Sequence, residues 1–166
     1  MKIKVFSDTI CGWCYIGHTR LLKVLEVFKN KSFIFEHVPF QLNPDMPKQG
    51  ISRQDYLKYK FGSKDAAETM YRNMVEEAQK ENLKFNLEKI QITPNTNFSH
   101  ILTKFAFSKN IGHEVLSKIF YAYFTKGENI GDIEVLVKIG QSCNIKKYRN
   151  KSLPGLVQYQ VWYRTV

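Results

Sequence analysis

Apolar and polar positions divide the chain into segments of different period. Ile3 to Phe6 form a short apolar run that predicts a buried strand, and Ser7-Asp8-Thr9 supplies the turn out of it. A helix is expected to begin near Cys11, because Leu21, Val24, Leu25 and Phe28 recur at i, i+3, i+4 and i+7 and make one apolar face. Asn30-Lys31 ends that helix, and Phe33-Ile34-Phe35-Glu36-His37-Val38 predicts a second strand. Strand, helix and strand within the first 38 residues make a βαβ unit, whose two strands are expected to run parallel.

The pattern then changes. Pro39, Pro44, Pro47 and Gly50 punctuate a loop that cannot continue a sheet. After Ser52, with Asp55 three residues on as a capping box, everything to residue 143 is expected to be helical. Ser63 opens a helix with Ala67, Met70, Tyr71, Met74 and Ala78 on its inner face. Pro94-Asn95-Thr96 introduces the next, with Phe98, Ile101, Leu102, Phe105 and Ala106 inward, followed by a run from Val115 to Phe124. Asp132 caps a last helix containing Ile133, Leu136, Val137 and Gly140. Leu156 to Tyr163 alternates with period two and predicts one short strand. The expected division is 1–50 for the βαβ half with its Pro-rich loop, 51–143 for a helical insertion, and 144–166 for a short return to the core.

Composition narrows the class. The 166 residues suit one domain, or one domain carrying an insertion, and hydrophobic content of 43% argues against disorder. No apolar run approaches the ~20 residues of a membrane span. The charged N-terminal segment lacks a signal-peptide core, so the expectation is a cytoplasmic protein with no membrane partner. The net charge of +10 comes from 25 basic residues spread through every segment among 15 acidic ones. Lys146-Lys147-Tyr148-Arg149 is the nearest approach to a basic run, so no nucleic-acid partner is expected.

The chemistry is concentrated at Cys11-Gly12-Trp13-Cys14. Two intervening residues bring both sulfurs within reach when the first stands just ahead of a helix and the second in its first turn. There the helix dipole and free N–H groups stabilise a thiolate on Cys11, which attacks a disulfide; Cys14 then resolves the mixed disulfide. Trp13 would add an apolar surface beside the sulfur, and Gly12 leaves the link less restrained than a proline would. Zinc is the competing reading, with His18 four residues after Cys14 as a third ligand. A structural site, however, needs a second ligand pair, and Cys143, His37, His100 and His113 show no such spacing. No metal is therefore expected. Cys143 is expected to pack as a small apolar residue.

These residues resemble the DsbA-like thioredoxin-fold oxidoreductases, in particular the FrnE-type branch. The resemblance rests on Ser7-Asp8 with Cys11-Gly12-Trp13-Cys14-Tyr15-Ile16-Gly17, on Pro39 to Pro47, on Pro94-Asn95-Thr96 with His100, and on Asn129-Ile130-Gly131-Asp132. It implies an α/β thioredoxin-like fold of DsbA type interrupted by a large helical domain, with Cys11 attacking, Cys14 resolving, and Pro94, Asn95 and Thr96 beside the substrate cleft. Partners would be protein or small-molecule thiols and disulfides. No cofactor beyond the redox disulfide is implied, with glutathione as an optional reductant. Members more often carry proline at the position of Gly12.

The family continues through a cis-proline loop, two antiparallel strands and a final helix. This chain offers only Pro154 in Leu153-Pro154-Gly155 and one strand after it, so the C-terminal part of the core is expected to be incomplete after about residue 145. The expected consequences are an open sheet edge and self-association through exposed core, unless Val157, Tyr159, Val161 and Tyr163 supply a substitute strand. Three functional expectations follow: a thiol–disulfide oxidoreductase or isomerase, a glutathione-dependent isomerase or transferase of the same fold, and a remnant of low activity. Relatives of the second kind usually carry Ser at the position of Cys11.

Overall fold

The computed structural model describes residues 2–62 and 64–145. Strand β1 (Lys2–Ser7) leads through a four-residue turn into helix α1 (Gly12–Val27), and the chain returns as β2 (Ile34–Pro39). The strands pair in parallel from Lys2 opposite Ile34 to Ser7 opposite Pro39, as the βαβ reading requires. Pro39 closes β2 where its missing N–H breaks no ladder bond.

Helix α1 buries a different face from the one its apolar stripe predicts. Tyr15, Ile16 and His18 are its large buried side chains, whereas Val24, Val27 and Phe28 are exposed. The reason lies in the partner. Tyr15 stacks on Phe120 and Phe85 with ring centroids 4.9 and 5.7 Å away, so the first two turns dock on an aromatic slab and set the rotation of the whole helix.

The Pro-rich loop ends at Gly50, and Ile51–Ser52 (β3) pairs antiparallel with Ile92–Thr93 (β4). This corrects the expectation of an all-helical stretch from 51 to 143. Gly50 has φ +73°, and a Cβ there would lie 2.6 Å from the Thr93 carbonyl oxygen, so only glycine lets the two backbones approach.

Helix α2 (Arg53–Phe61) starts at the expected cap, where Ser52 Oγ accepts the Asp55 N–H at 3.0 Å and donates to Asp55 Oδ2 at 2.6 Å. Helix α3 (Lys64–Lys80) buries Ala67, Met74 and Ala78. Met70, expected on the same inner face, is 64% exposed, because the seam that packs against Ile16 of α1 runs through Met74 and Ala78. Arg20 and Lys23 of α1 flank this seam and bind Glu81 at 2.6 Å each, with Arg20 also reaching Glu77 at 2.7 Å.

Helices α4 (Asn97–Ser108), α5 (Gly112–Tyr121) and α6 (Ile133–Ser142) enclose the main core. A wider turn, Ala122–Lys126, extends α5 and carries the buried Tyr123 and Phe124. Asp132 caps α6 through an Oδ1 that accepts the Glu134 N–H at 2.8 Å. Leu102, Ala106, Val115, Leu116, Ile119, Phe120, Leu136 and Val137 pack together in this core, and Cys143 joins them as the small apolar residue expected.

Ser63, the Lys146–Arg149 run, Pro154 and the segment from Leu156 to Tyr163, expected as a strand, lie outside the described residues. Among the described residues, no helix is long and apolar enough to cross a membrane.

Candidate active site

Cys11 stands at the N-cap of α1 with an extended backbone (φ −94°, ψ 111°). Its Sγ accepts the Cys14 N–H at 3.3 Å, the bond that a Ser or Asp oxygen makes in most N-caps. Its own N–H donates to the Asp8 carbonyl at 3.1 Å, and its carbonyl accepts the Tyr15 N–H at 3.1 Å. The two thiols are free, and no acidic residue occupies the first turn of α1.

This geometry separates the two sulfurs chemically. The Cys14 thiol donates to Cys11, and the N–H groups of Cys14 and Trp13 point at the same sulfur. Against the opposing effect of burial they lower the Cys11 pKa to about 7. Cys14 is pushed far up, because its hydrogen is held by Cys11, it is desolvated, and a thiolate forms beside it. One thiolate near neutrality is stabilised at Cys11. Trp13, 52% exposed, stands beside it, and Gly12 is buried.

Ser7, Asp8 and Thr9, read from sequence as a plain turn, are all buried under the redox turn. Asp8 is 1% exposed, and its carboxylate is satisfied from two directions. Oδ2 accepts the Leu42 N–H of the Pro-rich loop at 2.7 Å, and Oδ1 accepts His100 Nε2–H of α4 at 3.2 Å. A buried carboxylate needs such partners, and here they tie three segments together beneath the cysteines. The charge of Asp8 also raises both thiols. In the sequence Asp8 and His100 stand only as pattern positions, with no role attached. The signal that could have found them is a polar triplet sandwiched between a buried strand and a helix start.

Pro94, Asn95 and Thr96 precede α4 and reach the redox turn indirectly. Thr9 Oγ1 and Ser99 Oγ are 2.7 Å apart, Ser99 Oγ donates to the Thr96 carbonyl at 2.8 Å, and Gln41 Nε2 donates to Thr96 Oγ1 at 3.3 Å. Asn95 is turned inward, with Nδ2 donating to the Met46 carbonyl at 2.7 Å. All three residues are buried.

The four histidines form one connected line behind the site. His37 Nε2 is hydrogen-bonded to Ser7 Oγ at 2.8 Å, and its ring lies 6.2 Å from that of His100. Phe107 stacks on His37 and meets the edge of His113, which in turn lies 5.4 Å from His18. Ser117 Oγ donates to the His113 carbonyl, so His18 Nε2 is the donor in its 2.9 Å bond to that hydroxyl. Burial lowers the pKa of His18 and of His37 to about 4, with the neighbouring imidazoles adding to the effect. His18 is thus committed to α5, where the zinc reading had set it beside Cys14. Among the described residues, no three His, Cys, Asp or Glu side chains are grouped to hold a metal ion.

Comparison with known proteins agrees with this architecture. Residues 2–152 match the family described as the DSBA-like thioredoxin domain. The uncharacterized protein YwbO of Bacillus subtilis (strain 168) is 28% identical over 161 residues, covering 96% of this chain and 74% of that protein. The crystal structure of a probable DsbA oxidoreductase from Streptomyces coelicolor superposes with a TM-score of 0.77 at 24% identity, covering 88% of this chain and 64% of that one. The cytosolic disulfide reductase DsbM of Pseudomonas aeruginosa, solved with GSH, superposes with a TM-score of 0.61 at 16% identity over 86% of this chain and 65% of its own. The chain thus spans just under two thirds of these solved structures, and likeness at such identities establishes the fold.

Proposed function

This chain belongs to the DSBA-like thioredoxin domain family, and on that footing we propose that it is a thiol–disulfide oxidoreductase working through Cys11 and Cys14. The observation that carries the reading is the N-cap sulfur of Cys11, which accepts the Cys14 N–H at 3.3 Å and has its pKa lowered to about 7. The Cys11 thiolate attacks one sulfur of a substrate disulfide. A Cys11–substrate bond forms, and the other substrate sulfur leaves as a thiolate that takes up a proton. Cys14 then loses its proton and attacks Cys11. The Cys11–Cys14 disulfide closes, and the second substrate thiol departs. A thiol reductant restores the dithiol by the reverse exchange. Glutathione suits this role as a small thiol, and a structural neighbour, the Pseudomonas reductase, was solved with it.

The finer assignment to the FrnE-type branch is supported by the ordered motifs around Cys11, Pro39 to Pro47, Pro94-Asn95-Thr96 and Asn129 to Asp132. Substrates of this reading are protein or small-molecule disulfides. The cytoplasm fits it as a setting, since a reducing compartment keeps the pair as the dithiol.

Insulin reduction with glutathione as donor tests the proposal. The wild-type chain should precipitate insulin B chain, Cys11→Ser should lose the activity, and Cys14→Ser should accumulate a mixed disulfide at Cys11 visible by mass. Equal rates for wild type and Cys11→Ser would sink it.

A further inference from the structure

Gly12 occupies the first position of α1 after the Cys11 cap, and its φ is not among the positive ones. Most residues suit that position, and proline is favoured there, so the local backbone gives no reason for glycine. The reason comes from another helix. A Cβ built on Gly12 would lie well within van der Waals contact distance of Met74 Sδ, 2.9 Å from Met74 Cε and 3.0 Å from Phe85 Cε2. The Met74 thioether of α3 therefore rests directly on the backbone between the two cysteines. Met74 is buried against Ile16 and Ala78, with Tyr71, Leu83, Phe85 and Leu87 around it. The Arg20 and Lys23 ion pairs with Glu77 and Glu81 hold α3 along the same side of α1.

A glycine linking two cysteines is conformationally loose when nothing packs on it, and looseness in the dithiol lowers the effective concentration of one thiol at the other. We propose that Met74 is a positioning residue of the redox centre: seated where a side chain of residue 12 would be, it restrains the first turn of α1 from outside and favours closure of the Cys11–Cys14 disulfide. The inserted helix is in this way part of the redox centre, although it contributes no reacting atom. The inference rests on the oxidoreductase reading above.

The test is equilibration of the pair in mixtures of reduced and oxidised glutathione, quenched with a maleimide and counted by mass. The exchange is balanced: two protein thiols and one oxidised glutathione give one protein disulfide and two glutathione thiols. Met74→Ala is expected to lower the equilibrium constant for oxidation about tenfold, a shift of about 30 mV toward a more oxidising pair. In a chain already carrying Gly12→Ala, the new Cβ takes the place of the Met74 thioether and displaces it from the link, so Met74→Ala should no longer lower the constant tenfold.

A constant for Met74→Ala within about twofold of wild type overturns the inference, as does the same tenfold loss with Gly12→Ala present. Near-ultraviolet circular dichroism establishes that each variant is folded. Should Met74→Ala not fold, Met74→Val takes its place in the same cycle under the same two criteria. A wild-type chain that never closes the disulfide overturns the redox reading and this inference together. A wild type that closes it while the Met74 variants match it overturns this inference alone.

Discussion

The helical block and the βαβ half of this molecule are held by different forces. In the block, Leu102, Val115, Leu116, Ile119, Phe120 and Leu136 are buried in one continuous apolar core. In the βαβ half, the groups buried around the site are largely polar: Ser7, Asp8, Thr9, His18 and His37, each hydrogen-bonded to a neighbour. Several large apolar side chains of that half, Phe6, Val24, Val27 and Ile34, are exposed. The block supplies the non-directional driving force of folding. The βαβ half supplies directed bonds, which contribute less stability but fix where the cysteines stand. A redox centre needs the second property, and it takes the first from its neighbour through Tyr15 and Met74.

The largest expected effect tests the apolar side of this contrast. Phe120→Ala should destabilise the chain by about 3–5 kcal/mol, since it empties the slab on which Tyr15 stacks. Phe6→Ser, at a position 63% exposed, should stay within about 0.5 kcal/mol. Urea midpoints of the two variants decide the matter, and equal losses would erase the distinction between the regions.

Acid should act next, and on the polar side. His18 and His37 have pKa values of about 4 in the folded chain, below the 6.5 of free histidine. Between these limits the unfolded chain binds more protons than the folded one, so stability falls as pH drops. The contribution is fully present above pH ~6.5 and is lost as pH falls to ~4, by up to about 3 kcal/mol for each histidine. Urea midpoints taken from pH 7 to pH 4 would show the slope, and the His18→Gln, His37→Gln double variant should flatten it. An unchanged slope would mean that these rings titrate as they do in water.

The smallest effect sharpens the picture inside the site. Cys14→Ala removes the thiol that donates to Cys11, so the Cys11 pKa should climb from about 7 toward the ordinary thiol value of about 8.5. The pH profile of iodoacetamide alkylation measures it. A midpoint still near 7 would assign the stabilisation to the helix start alone.

Much of the fold was legible along the chain because its signals are local. The strand at Ile3–Phe6, the helix start at Cys11, the Ser52 and Asp132 caps and the run from Val115 to Phe124 each depend on neighbours a few residues away. The β3–β4 ladder was not legible, since two residues on each side carry no periodicity. The inner face of α1 was misread for a related reason. Val24 and Phe28 make a valid stripe, but which stripe is buried depends on where an aromatic slab from residues 85–124 presents itself.

The same division runs through Cys11-Gly12-Trp13-Cys14. By itself the sequence determined the reacting groups and their place at a helix start, because spacing and helix polarity are local properties. Only the tertiary structure decided what surrounds them: Asp8 shared between Leu42 and His100, the histidine line behind β2, and Met74 lying on Gly12. Those contacts join residues 34 to 92 positions apart, or cross from one helix to another. Burial and charge at a sulfur are sums over such distant neighbours, which no pattern along the chain encodes.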